Sequence, residues 1–369
     1  MASAWGKMLK LSIFGESHGA AIGVVIDGLP AGCRLDIEQI QAQMNRRAPG
    51  GRLSTQRKEA DQVKILSGML GDTTTGAPIA GIIENTDTRS KDYHEMETLA
   101  RPGHADYTAF VHYDGFQDVR GGGHFSGRLT APLVFAGAVA LQILEKNGIY
   151  IGAHIRSVGS EEDARFDPVR ISSEELLRIR RAEFPSLSPE AGERMQKTIL
   201  AVKQEGDSIG GIIECAVIGM PPGVGEPIYD GVENVVSSLI FSIPAVKGIE
   251  FGSGFSGAYM MGSQHNDRFL LREGEVVTET NRHGGILGGI TSGMPILFSV
   301  AVKPTASILK PQETVNYLTG QEASLQIRGR HDPCIVPRAV PCVESAAALA
   351  LLELLLENRR LKWREGIFA

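Results

Sequence analysis

A twelve-residue segment occurs twice in this chain, and any fold must place both copies. Gly68-Met-Leu-Gly-Asp-Thr-Thr-Thr-Gly-Ala-Pro-Ile79 matches Gly285-Ile-Leu-Gly-Gly-Ile-Thr-Ser-Gly-Met-Pro-Ile296 at seven of twelve positions, 217 residues later. Upstream, Gly28-Leu-Pro-Ala-Gly32 parallels Gly219-Met-Pro-Pro-Gly223. Each of these follows an Ile/Val run and precedes a helical pattern that starts at an acidic residue, Asp36 or Asp230. Chance likeness between Gly-rich turns would rarely repeat two signals in one order. The sequence therefore predicts a single large domain of α/β (α+β) class, with two βαβ-like halves packed as one pseudo-symmetric unit. The halves run from about 7 to 150 and from about 207 to 358 of the 369 residues.

Ile/Val-rich runs bounded by Gly and Pro predict strands over 8–14, 20–27, 78–83, 209–218 and 294–302. Helical spacing predicts helices over 36–46, 129–146, 172–182, 189–205, 232–241 and 343–359, with Asp36 and Ser172 as N-caps. The stretch 159–205 is charged and poor in Val and Ile, and reads as a solvated helical insertion at the edge of the core. A net charge of −6 argues against a nucleic-acid protein held by bulk charge. No uninterrupted apolar run reaches the roughly 18 residues of a bilayer span, and the N-terminus lacks the apolar core of a signal peptide. Cys33, Cys215, Cys334 and Cys342 form no C-x-x-C pair, so a reduced cytoplasmic protein is the simplest reading.

Four constellations carry chemistry. Arg46, Arg47 and Arg52 flank Pro49-Gly50-Gly51 just after a helix, a setting for bidentate binding of a small polyanion. His18 in Phe14-Gly-Glu-Ser-His-Gly19 and His104 in Arg101-Pro-Gly-His-Ala-Asp106 sit in stiff turns, as candidate general acids. Their spacing matches no helix-face ligand pair, so no metal is expected. Arg120-Gly-Gly-Gly-His-Phe-Ser-Gly-Arg128 leads into a helix and exposes backbone N–H groups to an anion, with His124, Ser126 and Arg128 to complete the site. Lys303, Thr305, Ser307 and Arg330, with Asp332 as an acid/base group, suggest a second anion pocket for a phosphorylated cofactor. Gly252-Ser-Gly-Phe-Ser-Gly257 fits G-x-G-x-x-G, but the residues after it open no helix of the kind a dinucleotide site needs. A kinase or phosphatase of a small phosphorylated acid, or a non-catalytic flavin or nucleotide binder, would share the arginine clusters. The first would want clustered carboxylates for magnesium; the second would leave two histidines and an aspartate idle.

Phe14–Gly19, Arg101–Thr108, Arg120–Gly123, Gly284–Gly289, Lys303–Thr305 and Gly329–Cys334 together resemble the signature segments of chorismate synthases, in family order along nearly the whole chain. The resemblance implies a β-α-β sandwich and a homotetramer. It implies a lyase of the shikimate pathway that converts 5-enolpyruvylshikimate 3-phosphate to chorismate by 1,4-anti elimination, with reduced FMN (FMNH2) required but not consumed. In that family setting Arg47 and Arg52 hold substrate anions, with Arg120 and Arg128 as further candidates. His18 protonates the departing phosphate, His104 acts as an acid near the flavin, and Asp332 assists proton removal through flavin N5. FMN contacts fall on His124, Phe125, Ser126, Pro244, Ala245, Gly288, Lys303, Pro304, Thr305, Ala306, Ser307 and Arg330. Where many members read Gly-Gly-Gly-Arg-Ser-Ser, this chain has His124-Phe125-Ser126 after its glycines. With no dinucleotide fingerprint, the chain is expected to depend on a separate flavin reductase rather than on its own NADPH-linked activity. No nucleic-acid or membrane partner is expected.

Overall fold

A computed structural model describes residues 3–49, 53, 61–85, 98–327 and 331–361, the last three by backbone alone. The first half contributes strands β1 (Ala4–Trp5), β2 (Lys10–Gly15), β3 (Ala21–Asp27), β4 (Lys64–Ser67), β5 (Met69–Leu70), β6 (Thr73–Thr74) and β7 (Ile79–Glu84). The second contributes β8 (Tyr150–Val158), β9 (Glu161–Glu162), β10 (Gly211–Ile218), β11 (Val246–Phe251), β12 (Phe269–Arg272), β13 (Glu275–Thr278), β14 (Ile286–Leu287), β15 (Ile290–Thr291), β16 (Ile296–Val302), β17 (Gln312–Asn316) and β18 (Gln321–Leu325). Helices are α1 (Ile37–Arg47), α2 (Asp106–His112), α3 (Thr130–Glu145), α4 (Ser173–Arg181), α5 (Pro189–Gln204), α6 (Val232–Ile240), α7 (Gly262–His265) and α8 (Val336–Leu361).

Two five-stranded sheets run β1-β2-β3-β7-β4 and β9-β8-β10-β16-β11. The order is the same in both, with β2, β3, β7 and β4 answering to β8, β10, β16 and β11. Each half is a hairpin, a helix (α1 or α6), a second hairpin and a long helix (α3 or α8). All adjacent strand pairings among the described residues are antiparallel. Yet β3 and β4 both pair with β7, and β10 and β11 both pair with β16, so the strands joined by α1 and by α6 run parallel to each other with one strand between them, a split βαβ unit in each half.

Helices α1, α3, α6 and α8 form the layer between the sheets. Helix α3 touches β3 and β7 of one sheet and β8 of the other, and every residue from Thr130 to Leu144 is buried. It crosses α8 at Gly137, where a Cβ would run into Ser345. The stretches Gly127–Glu145 and Val336–Asn358 are long and apolar enough to cross a membrane, contrary to the count of uninterrupted runs, but 94% and 89% of them is buried inside the protein. They are apolar all round because both sheets and their neighbouring helices cover them.

The duplicated segment builds the same turn twice. Thr74 and Thr291 end the second arm of the β5–β6 and β14–β15 hairpins. The hydroxyl of Thr74 donates to Pro30 O (2.7 Å) and accepts from Cys33 N (2.9 Å). That of Thr291 donates to Pro221 O (2.6 Å) and accepts from Val224 N (2.9 Å). Gly71 and Gly288 hold the hairpin tips at φ +61° and +62°, a region that penalises a Cβ.

Three local expectations change. Helix α6 is capped by Gly231, not Asp230, whose carboxylate takes Lys7 Nζ at 2.7 Å. The hairpin-tip carbonyl of Gly289 receives Val232 N instead (2.9 Å). Helix α8 starts at Val336 rather than Val343, because Pro337 lies in the first turn, where no N–H is needed, and the helix continues through Pro341. The charged segment is amphipathic rather than simply solvated. Leu176, Ile179, Met195 and Ile199 are buried, and α4 packs so close to β8 that a Cβ on Gly152 would sit 3.0 Å from Leu176.

Candidate active site

A cavity of about 580 Å³ opens where the two halves meet. Its wall is built from pseudo-equivalent places in each half. The ends of α1 and α6 give Arg47 and Ser242–Ala245. The turns before α3 and α8 give His124–Arg128 and His331–Asp332, and α8 itself adds Arg338. The segments following β7 and β16 give Arg101–Ala105 and Lys303–Ser307.

The cationic side is held by one acid. Asp61 receives Arg47 Nε at 3.0 Å and makes ion pairs with Arg47 Nη2 and Arg128 Nη1. Arg47 also donates to Thr130 Oγ1 (3.4 Å), and Arg128 Nε to Asn85 Oδ1 (3.2 Å). All three charged groups are buried. Burial alone would raise the Asp61 carboxyl, but the Arg47 and Arg128 charges hold it below the usual carboxylate range. Two guanidiniums against one carboxylate leave net positive charge at the wall, which suits an anionic ligand.

The glycines of Arg120–Gly123 let two imidazoles close on one turn. Gly121, Gly122 and Gly123 have φ of 61°, 89° and 52°. A Cβ on Gly121 would overlap the His18 ring, and one on Gly122 would lie 3.2 Å from His104 Cε1 and Nε2. His104 lines the cavity, whereas His18 stands behind Gly121, which does. Ser17 Oγ donates to Arg120 O (3.2 Å) and lies 3.1 Å from His18 Nδ1. With its proton so committed, the hydroxyl is an acceptor for His18 Nδ1–H. Asp106 holds both Arg101 (Nε 2.7 Å, Nη2 2.6 Å) and His104 Nδ1 (2.6 Å). Burial would raise its carboxyl, yet the bonds from Arg101 and His104 keep it well below the ordinary range.

On the opposite wall Lys303 Nζ donates to Gly103 O (2.9 Å), tying the two halves together. Burial and the nearby Lys247 charge lower the Lys303 ammonium. Ala245 adopts φ +73° and accepts Lys303 N at 2.9 Å, a left-handed residue kept at the cavity by its surroundings. Thr305 Oγ1 is buried without a hydrogen-bond partner among the described residues. Asp332 pairs with Arg338 Nη1, and Arg338 Nε donates to Arg47 O (2.8 Å).

The chorismate synthase family model matches residues 9–356. A chorismate synthase of Thermococcus kodakarensis is 47% identical over 354 residues, covering 96% of this chain and 98% of the relative. That of Korarchaeum cryptofilum is 45% identical, again over 96% of this chain and 98% of the relative. A crystal structure of chorismate synthase superposes with a TM-score of 0.74 at 30% identity, over 96% of this chain and 93% of that one. The chain belongs to the chorismate synthase family. It is thereby a lyase of aromatic amino acid biosynthesis.

Of the site residues that the chorismate synthase resemblance implies, the cavity gathers Arg47, His104, His124, Phe125, Ser126, Arg128, Pro244, Ala245, Lys303, Pro304, Thr305, Ala306, Ser307 and Asp332. Arg120 is not among them: it is exposed and bonded to Asp118 two residues away (2.9 and 2.8 Å). Gly288 lies at its hairpin tip, outside the cavity wall. Arg52 and Arg330 lie outside the described residues. Sequence reasoning missed Asp61, Asp106 and Arg338 and gave Arg101 no role. A carboxylate within hydrogen-bond reach of a candidate histidine, as in Arg101-Pro-Gly-His-Ala-Asp106, was the one available signal. For a bound FMN the wall fits: a half-exposed Phe125 ring, the Lys303 cation, and the unpartnered Thr305 hydroxyl beside Ser307 offer a stacking face and phosphate donors.

Proposed function

We propose that this cavity binds 5-enolpyruvylshikimate 3-phosphate beside reduced FMN and releases phosphate by 1,4-anti elimination to leave chorismate. The observation that carries the reading is the meeting of Arg47, Arg128, His104, Lys303 and Asp332, from distant segments, around one cavity. Arg47 and Arg128 hold the substrate's anionic groups bidentately. His18 Nε2 carries a proton to the phosphate oxygen as it departs, since a protonated phosphate is the better leaving group. His104 acts as the acid near the flavin. Asp332, oriented by Arg338, is the carboxylate that assists removal of the ring proton. FMN, when bound and reduced, supplies electron density transiently and is not spent. His124, Phe125, Ser126, Pro244, Ala245, Lys303–Ser307 and Arg330 are its proposed contacts, and Arg52 a further substrate ligand.

The chain depends on a separate flavin reductase: Gly252–Gly257 follows β11 but opens only a short 3₁₀ turn, Gly254–Tyr259. A homotetramer is supported by apolar side chains left open on the Gly254–Tyr259 turn and the β12–β13 hairpin, with Tyr259 92%, Phe255 80% and Leu271 74% exposed, and a cytoplasmic location by the unpaired Cys33, Cys215, Cys334 and Cys342. The deciding experiment adds chemically reduced FMN and substrate anaerobically and follows phosphate and chorismate. No release under those conditions sinks the proposal. Turnover in air with only NADPH and oxidised FMN would refute the separate reductase, and sedimentation tests the tetramer.

A further inference from the structure

We infer that Asp106 and Arg101 are positioning residues that fix the Nδ1 proton of His104 and so make Nε2 the nitrogen that exchanges a proton at the site. The inference rests on the role of His104 proposed above. Two neighbours compete for Nδ1: Asp106 Oδ1 at 2.6 Å and Arg101 Nη2 at 3.0 Å. A guanidinium only donates, so Arg101 could be served only by a bare Nδ1, and Asp106 only by Nδ1–H. The carboxylate decides between them. Its Oδ2 accepts Arg101 Nε (2.7 Å) and Arg101 N (3.0 Å), and its Oδ1 accepts Arg101 Nη2 (2.6 Å). Donation from Nδ1–H fills the fourth and last acceptor position. The alternative leaves a buried carboxylate position facing a lone pair at 2.6 Å, which is repulsive.

The ring then turns its Nε2–Cε1 edge to Gly122 and the cavity. The charged and titratable groups around it are Arg101, Asp106, Lys303 beyond Gly103, and His18 across Gly121–Gly122. Among the described residues Asp106 is the acid in hydrogen-bond contact with the ring. The Asp106 carboxyl, held well below the ordinary range, stays ionised throughout the neutral range and so remains an acceptor for Nδ1–H.

The test is ¹⁵N NMR of histidine-labelled full-length protein, without ligands, on the wild type, Asp106→Asn and Asp106→Glu. Nitrogen shifts report the tautomer, and a titration gives the midpoint of His104, assigned through His104→Gln. The inference expects an Nδ1–H tautomer in the wild type. In Asp106→Asn the midpoint should move to at least tenfold higher proton concentration, as loss of a charge-assisted bond implies, with partial recovery in Asp106→Glu. An Nε2–H tautomer in the wild type overturns it, as does a midpoint indifferent to Asp106→Asn. Should Asp106→Asn fail to fold, the wild-type tautomer decides alone. In turnover, the alkaline limb of the pH profile should shift with the NMR midpoint. If the midpoint moves and the profile does not, the clamp stands and the proposed role of His104 falls.

Discussion

Gly121→Ala should disable the enzyme without unfolding it, and two separate costs can be worked from the structure. The first is backbone: at φ +61° an alanine costs roughly 1–2 kcal/mol. The second is steric. The new Cβ would overlap His18 Cε1 and Nδ1 and lie 2.7 Å from Ser17 Oγ, whereas non-bonded carbons settle near about 3.5 Å. The ring must retreat by roughly 1 Å or more, and a misplacement of that size costs about 10²-fold in rate. Gly71→Ala separates the two. Gly71 has the same φ of +61° and nothing within 4 Å of its Cβ position, so it carries the backbone cost alone. Melting curves should show a loss of a few degrees for Gly71→Ala and at least that loss for Gly121→Ala, with both variants folded. Single-turnover phosphate release should fall about 10²-fold for Gly121→Ala only. In a His18→Ala background, itself slowed about 10²- to 10⁴-fold, Gly121→Ala should add little, because it acts through a ring already gone. Multiplying losses in the double variant, or normal turnover of Gly121→Ala, would show that His18 does not act from beside this turn.

Arg47→Ala removes the Arg47 bonds to the buried Asp61 but leaves Arg128 paired with it, so it should cost about 1.5–3 kcal/mol in a denaturant melt and weaken substrate binding in a titration of the folded fraction. Asp332→Asn should lower kcat by about 10²- to 10⁴-fold with KM little changed in steady-state assays; a rise in KM alone would make it a binding residue. His154 gives a pH signature. It is fully buried between Glu214 (2.9 Å) and Asp163 (3.4 Å). Burial lowers its imidazole, but the bonds and charges of the two acids raise it above the usual value of 6.5. Its stabilisation is therefore complete below about pH 6.5 and lost as pH rises through the higher folded value. Calorimetry should show the melting temperature falling from neutral to alkaline pH, and His154→Gln should flatten that slope while lowering stability at pH 6.

What the sequence made legible depends on whether the cause was local. Strands β3, β7, β10 and β16 are Ile/Val runs closed by Gly or Pro, and the caps of α1 and α4 are side chains bonding three residues on, Asp36 to Gln39 N and Ser172 to Glu175 N. Strand β8 carries Gly152, His154, Arg156 and Ser157, a composition that reads as loop. Its polar groups are buried because distant partners satisfy them, Glu214 for His154 and Ser299 for Arg156 (3.2 Å). The site divides the same way. Histidines and arginines in Gly/Pro turns stand out, since such turns hold a side chain at a scaffold's edge. Asp61 sits among basic residues with no motif around it, and only the fold brings it between Arg47 and Arg128. Arg338 lies between Pro337 and Pro341, ahead of the helix the sequence predicts from Val343. Arg120 shows the converse error: a conspicuous charge in a Gly-rich turn, spent on a neighbour two residues away.

The duplication explains why so scattered a set of motifs converges. Two copies of one hairpin–helix–hairpin–helix unit packed face to face bring three kinds of segment to one place: the ends of α1 and α6, the turns before α3 and α8, and the segments after β7 and β16. Each kind arrives twice, so these six segments line most of the described cavity although each half repeats a simple plan. The scaffold is matched to the hydrogen bond, as Thr74 and Thr291 show, while the segments it presents are unlike. The first half supplies Arg47, Arg128 and the His104–Asp106–Arg101 clamp. The second supplies Lys303, Thr305, Ser307 and the Asp332–Arg338 pair. On the proposed chemistry that asymmetry is what the reaction needs. Two flat anionic molecules must lie against each other, one proton must go to a leaving group and another must come off carbon. A symmetric scaffold with divergent loops gives each molecule its own wall, and fixes the distance between the walls by strands and helices rather than by the loops themselves.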